Sequence, residues 1–264
     1  MAIYYTPHPV LFSMGPFTVY GWGLLNALAI LIAGFLVFKK AKRHFDEKTI
    51  LGIIISGVIS GLIFARIFYI LIYMNEFSTF WSLFEVWNGG LEGFGTFIGG
   101  ILGVFFYAKI KKIDACKFLD IAAPYIALGY AIGRIGCFLR GCCFGIPTNL
   151  PWGIIYSEGS LAAAQYLNQA VHPTQLYHSI ADFIIFAVLI FISRKKERQF
   201  IKKKSGGIFL LFLALYSIER FFIDLFRWHS SSQLLAFGIS IEQLFYLLLF
   251  IASILIIRIR NRKP

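Results

Sequence analysis

A chain of 264 residues that is 58% hydrophobic, 18% aromatic and only 14% charged, with a mean hydropathy of +0.74, is too apolar for a soluble domain and belongs with multi-pass membrane proteins. Its formal net charge of +12 would suit nucleic acid, but the basic residues gather in short segments between apolar runs, a topology signal that excludes a nucleic-acid surface.

Runs of about 20 apolar residues, each able to cross roughly 30 Å of hydrocarbon as a helix, mark seven spans near 18–38, 50–74, 94–110, 118–139, 172–193, 207–227 and 239–257. Ahead of them, the first 17 residues carry no positive n-region and no cleavage site, so no removable signal peptide is expected. The third run, GTFIGGILGVFF, is short and rich in glycine. The expectation is an all-α polytopic membrane protein of about seven transmembrane helices, with residues 1–264 forming a single domain.

Lys and Arg cluster in 39–49 (five), 109–117 (four), 194–204 (seven) and 258–264 (four), together 20 of the 25 basic residues. Every second loop is basic, so the positive-inside rule places the N-terminus outside and the C-terminus in the cytoplasm. Tyr4, Tyr5, Trp81, Trp87, Trp152 and Trp228 then fall in outer segments, where amphipathic rings suit the membrane interface. The segments 75–93 and 140–171 are candidate lids or docking elements, or plain surface loops.

The five basic residues outside the clusters are all arginine: Arg66, Arg134, Arg140, Arg220 and Arg227, each within or at the outer half of a span. A charge at a helix centre costs about 2.5–3.5 kcal/mol on insertion scales, so such groups face a partner or a polar cavity. Asp120, Asp182, Asp224 and Glu242 are candidate partners, yet they are too few to match the arginines. The planar guanidinium fork binds phosphate or carboxylate oxygens in pairs, and the excess positive charge points to an anionic ligand, a lipid phosphate. In RFFIDLFR the i, i+4, i+7 spacing of Arg220, Asp224 and Arg227 places all three on one helical face, with Asp224 bridging the arginines.

GRIGCFLRGCCFG at 133–145 sets Arg134 beside glycines at 133, 136, 141 and 145, which suit backbone lining a head-group pocket as well as ordinary helix packing. Cys137, Cys142 and Cys143 could form a disulfide, pack as small apolar groups, or act as nucleophiles. Cys116, beside a basic loop, is read as a bystander. HPTQLY at 172–177 opens the fifth span, with Pro173 suited to a first helical turn and His172, Thr174 and Gln175 grouped at its mouth.

Six ordered motifs resemble those of the prolipoprotein diacylglyceryl transferases of bacteria: YGWGLLNALA, GGLEGFGTFIGG, GRIGCFLRGCCFG, HPTQLY, RFFIDLFR and SIEQ. The resemblance implies a multi-pass enzyme of the bacterial cytoplasmic (inner) membrane. Its reaction would move the diacylglyceryl group from phosphatidylglycerol to the lipobox cysteine of a prolipoprotein at the outer leaflet, releasing glycerol 1-phosphate. It implies no metal and no nucleotide cofactor; the partners are phosphatidylglycerol, the lipobox peptide and membrane lipids, with no nucleic acid. Carried over by matched position, Arg220 becomes the catalytic or phosphate-orienting arginine, supported by Asp224 and Arg227. Arg134 binds the head group, with Gly136, Cys137, Gly145, His172 and Gln175 lining the substrate site and a thiol role open to Cys142 and Cys143.

The chain also departs from the family pattern. Phe94 stands where the third-span motif carries a histidine proposed as the thiol's base, Trp22 stands at the first-span tyrosine position with Tyr20 nearby, and Asp224 replaces a glutamate. Cys137 stands where asparagine is common, and Cys142 falls at or beside a position that carries glutamate in some members. Two other readings therefore stand beside the transferase: a paralogue using the same phospholipid pocket with another acceptor, and a non-catalytic lipid-binding or transport module.

Overall fold

A computed structural model describes residues 3–15, 17–74, 77, 79–85, 90–194, 205–230, 233–235 and 238–262. Each predicted span becomes a helix whose ends lie within five residues of those expected: α1 (Gly21–Ala41), α2 (Glu47–Ile72), α3 (Gly93–Lys111), α4 (Ala115–Arg140), α6 (Thr174–Arg194), α7 (Gly207–Asp224) and α8 (Ile241–Arg262). A short α5 (Leu161–Gln165) lies between α4 and α6. Six of the long helices are apolar and long enough to cross a membrane. The seventh, α7, holds Glu219, Arg220 and Asp224 inside an otherwise apolar helix.

Local chemistry sets the helix ends. Asp46 and Asp114 cap α2 and α4 by accepting from the backbone N–H of Thr49 and Lys117. Helix α4 stops at Gly141, whose φ of +70° is the left-handed turn that glycine adopts without a Cβ penalty. Lys39 and Lys40 in the last turn of α1, and Lys109 and Lys111 in that of α3, set positive charge against the negative helix end. The basic residues 195–204 and Trp87 lie outside the described residues.

Packing is pairwise: α1 runs along α4, α2 along α3, α6 along α4, and α7 along α8. The glycine-rich run finds its reason here. A Cβ at Gly95, Gly99 or Gly103 would lie 2.7, 2.5 or 2.5 Å from the backbone oxygens of Phe64, Ser60 and Ser56, so only a glycine stripe lets α3 and α2 touch backbone to backbone. In contrast, α1 barely touches α2 and α3 barely touches α4. A crevice of about 320 Å³ remains between the two pairs, lined by residues such as Ala29, Ala33, Gly57, Gly100, Ile126 and Tyr130.

The chain is not wholly helical. At the end of the bundle where α1 begins and α4 ends, β1 (Ile3–Tyr5) pairs in parallel with β4 (Ile154–Tyr156), and β2 (Val10–Met14) forms a hairpin with β3 (Phe17–Tyr20). Phe144, Ile154, Tyr156, Ala162 and Val171 form a small core under this cap, apart from the main core of the bundle. These strands are only three to five residues long, too short for their alternation to stand out within an apolar sequence.

Candidate active site

Four helices deliver polar side chains to one region beneath the cap. The last turns of α4 bring Arg134 and Cys137, the first turns of α6 bring Thr174, Gln175, His178 and Asp182, the end of α7 brings Ser217, Glu219, Arg220 and Asp224, and the start of α8 brings Glu242, Gln243 and Tyr246. Thr174, Gln175, Asp182 and Ser217 are fully buried.

Arg220 is 4% exposed and forms no ion pair among the described residues. Its Nε and Nη2 donate to Tyr216 Oη at 3.0 and 2.9 Å, and its guanidinium lies 5.1 and 5.5 Å from the ring centres of Tyr216 and Tyr246. The aromatic faces attract the cation without neutralising it. Nη1 has no hydrogen-bond partner among the described residues, an arrangement that costs more than an orphaned neutral group because the donor is charged. Arg134, half-buried one helix away, likewise forms no ion pair among the described residues, and the two guanidiniums feel each other's charge. Of the four acids suggested as partners, Asp224 and Glu242 pair with Arg227, and the other two pair with no arginine among the described residues. Asp120 accepts from Gly206 N and Phe209 N at the start of α7, and both oxygens of Asp182 lack a hydrogen-bond partner among the described residues.

The expected single face of Arg220, Asp224 and Arg227 is corrected. Helix α7 ends at Asp224, so Arg227 sits beyond it on a turn. From there its Nη1 reaches Glu242 Oε2 at 2.7 Å and Asp224 Oδ1 at 3.5 Å, and its Nη2 lies 3.9 Å from Cys143 Sγ. Asp224 also accepts from Ser240 Oγ at 2.8 Å and lies 3.0 Å from His229 Nε2. It therefore ties Arg227 to His229 and Ser240, while Arg220 is held by Tyr216.

Gly145 has neighbours on both sides: a Cβ there would lie 2.5 Å from His172 Cβ and 2.5 Å from Phe226 O. The absence of a side chain lets Gly145 N donate to His172 O and Ile146 N to Phe226 O, stitching the loop after α4 to the starts of α6 and of the turn after α7. Thr174 Oγ1 donates to Cys143 O at 2.6 Å and Gln175 Nε2 to Cys142 O at 2.7 Å. His172 shares a 3.2 Å contact with Tyr177 Oη, and burial pushes its pKa down, which keeps it neutral at pH 7. The missing Cβ of Gly136 faces Leu25 and Trp22, so this glycine admits α1.

Arg66 and Arg140 serve other ends. Arg66 donates to the backbone oxygens of Ser82, Leu83 and Gly90, clamping the loop between α2 and α3, and Arg140 lies over the Trp22 ring at 5.6 Å. Phe94 is buried between Phe68 and Phe245, with no capacity to take a proton.

Sequence reading passed over two features. His178 Nδ1 lies 2.5 Å from Glu219 Oε1, a buried pair joining α6 to α7 beside Arg220; the i, i+4 spacing of His178 and Asp182 in an apolar helix was its only trace. Glu92, two residues before Phe94, is buried just ahead of α3. Burial, with Glu242 adding to it and Arg227 opposing, pushes its pKa up to about 7.

The profile of the family described as prolipoprotein diacylglyceryl transferase matches residues 9–259. Proteins named phosphatidylglycerol–prolipoprotein diacylglyceryl transferase are similar along most of the chain. That of Clostridium tetani (strain Massachusetts / E88) is 36% identical over 220 residues, covering 83% of this chain and 85% of its own length. That of Trichormus variabilis is 36% identical over 228 residues (84% and 79%), and that of Finegoldia magna 31% over 256 residues (96% of each).

Proposed function

This chain belongs to the prolipoprotein diacylglyceryl transferase family, and we propose that it transfers the diacylglyceryl group of phosphatidylglycerol to the lipobox cysteine of a prolipoprotein at the outer leaflet of the bacterial cytoplasmic membrane, releasing glycerol 1-phosphate. The observation that carries this reading is the pair Arg134 and Arg220, one half-buried and one buried, neither of which forms an ion pair among the described residues. A phosphate placed between them supplies the missing acceptor for Arg220 Nη1.

The chemistry accounts for the arrangement. As the acceptor sulfur forms a bond to the glycerol carbon, the carbon–oxygen bond to phosphate breaks and its electron pair goes to the phosphate oxygen. The diester's single negative charge becomes the monoester's double charge. Guanidiniums already fixed in place stabilise that gain without reorganising, an effect worth about 3–4 kcal/mol per donor in comparable sites. Asp224 and Glu242 position Arg227 at the edge of the same region, and Tyr216 positions Arg220. Glu92, with its pKa near neutrality, is suited to take the thiol proton that Phe94 cannot.

The crevice between the α1/α4 and α2/α3 pairs supports a lipid substrate. Its walls are apolar, and at its inner side Tyr130 stacks at 5.0 Å on Tyr216, the residue that holds Arg220. An acyl chain lying in it delivers its head group to the arginines.

The test is purified protein in phosphatidylglycerol vesicles with a lipobox peptide. Release of glycerol 1-phosphate with a matching mass gain on the peptide, lost in Arg134→Ala, is expected. Lipid binding without release would leave a lipid-binding module, and modification of a different acceptor would leave a paralogue.

A further inference from the structure

Three cysteines converge at the end of α4. Cys137 lies in its last turn, and Cys142 and Cys143 follow the left-handed Gly141 directly. All are free thiols, each half-buried, and their Sγ atoms lie within 4.8 Å of one another. In a zinc thiolate site with bonds of about 2.3 Å, sulfurs sit about 3.8 Å apart, so the loop needs little adjustment to bind.

The fold holds this shape against a local cost. Cys143 has a φ of +58°, a conformation that side chains with a Cβ rarely adopt. It is kept there by Thr174 and Gln175, both fully buried, whose side chains grip the carbonyls of Cys143 and Cys142. Cys142 N donates to Cys137 O at 3.2 Å, which fixes the third cysteine to the other two. A merely packed cysteine needs none of these constraints.

Charge selects the ligand. Soft thiolates favour zinc-class ions over magnesium, calcium or manganese. Three thiolates around a divalent ion carry one net negative charge, and Arg227 Nη2, 3.9 Å from Cys143 Sγ, is placed to offset it as an outer-sphere partner. Among the described residues three protein ligands converge, and a zinc site with three protein ligands keeps its fourth position open to water or substrate.

We propose that Cys137, Cys142 and Cys143 form a three-thiolate site for zinc(II) whose open position takes the acceptor's cysteine thiol. The metal site stands on the geometry alone; the role of the open position rests on the transferase reading. In that role the acceptor thiol gives its proton to the Glu92 carboxylate as its sulfur joins the site, since a coordinating thiol is deprotonated outright. The sulfur lone pair then forms the bond to the glycerol carbon, and the electrons of the breaking carbon–oxygen bond leave with the phosphate. The neutral thioether product is a weak ligand and departs.

The experiment uses the full chain, purified reduced in detergent without chelator. Elemental analysis is expected to find one zinc per chain in the wild type and in Cys116→Ser, and added zinc is expected to shield three of the four thiols from alkylation. Cobalt(II) in place of zinc is expected to give a thiolate-to-metal absorption band, and each of C137S, C142S and C143S to weaken zinc binding at least tenfold. No zinc above the triple serine variant, no shielding of wild-type thiols, or a disulfide among the three in the protein as isolated overturns the site. The thiol-shielding arm uses wild-type protein, so a variant that fails to fold does not blunt it. In the vesicle assay, activity lost on chelation and restored by zinc supports the role of the open position, and full activity without metal overturns it. Zinc bound with no transfer in any state sinks the transferase reading and leaves the metal site standing.

Discussion

Arg227 lies three residues past the end of α7, yet its Nη1 sits 2.7 Å from Glu242 Oε2 on α8, and this ion pair locks the turn after α7 against the next helix. Both side chains are nearly buried, at 12% and 13% exposed. Removing Glu242 leaves Arg227 only its longer, 3.5 Å pairing with Asp224, so the loss is part of the roughly 3–5 kcal/mol that breaking a buried pair outright costs. Glu242→Leu is therefore expected to lower the melting temperature in detergent by several degrees. Adding Arg227→Leu to it is expected to recover part of the loss, and a double variant no more stable than Glu242→Leu alone shows that the two do not act as a pair.

Arg220→Lys tests the fork. Lysine keeps the charge but offers no planar pair of donors, and it gives up the two bonds to Tyr216 Oη. If Arg220 holds the departing phosphate, kcat is expected to fall about 100- to 1,000-fold with the helical circular dichroism signal unchanged. Wild-type turnover in Arg220→Lys removes the residue from the chemistry.

The helices were legible because lipid forces one answer on each apolar run: a backbone satisfied within itself. The unpaired state of Arg134 and Arg220 was legible too, as a surplus of arginine over acid. What escaped was set by the ends of elements. The spacing of Arg220, Asp224 and Arg227 fits one helix face, but the helix stops at Asp224 and a turn carries Arg227 instead. Asp120 reads as a partner for arginine, and tertiary packing spends it on the N–H groups that open α7. Glu92 left no trace in spacing, since its raised pKa comes from burial and from residues on other elements.

Gly145→Ala is expected to be severe for a single methyl group. The new Cβ would press on backbone at Phe226 O and on His172 Cβ, both 2.5 Å away, and neither can swing aside as a flexible side-chain tip would. Overpacking of this kind costs about 1–3 kcal/mol, and here it also pushes apart the three segments that carry Cys143, Arg227 and Thr174. Reduced thermal stability together with faster alkylation of Cys142 and Cys143 is the expected result; an unchanged alkylation rate means the loop absorbs the methyl group without opening.

Glu92 gives a pH dependence with a definite sign. Its folded pKa of about 7 lies above the ordinary carboxyl value of 4.5, so between those two values the folded state holds a proton that the unfolded state has released. The stabilisation is fully present below about pH 4.5 and is lost as pH rises through 7. A shift of this size corresponds to about 3 kcal/mol. Glu92→Gln removes the titrating group, so its stability relative to the wild type is expected to rise between pH 5 and 8 and to level off above. Activity moves the other way: a base must be ionised to take the thiol proton, so wild-type kcat is expected to climb through about pH 7, and Glu92→Gln to lose both the climb and most of the rate. A variant that gains stability at high pH but keeps the wild-type rate profile would make Glu92 a buried acid with no part in proton transfer.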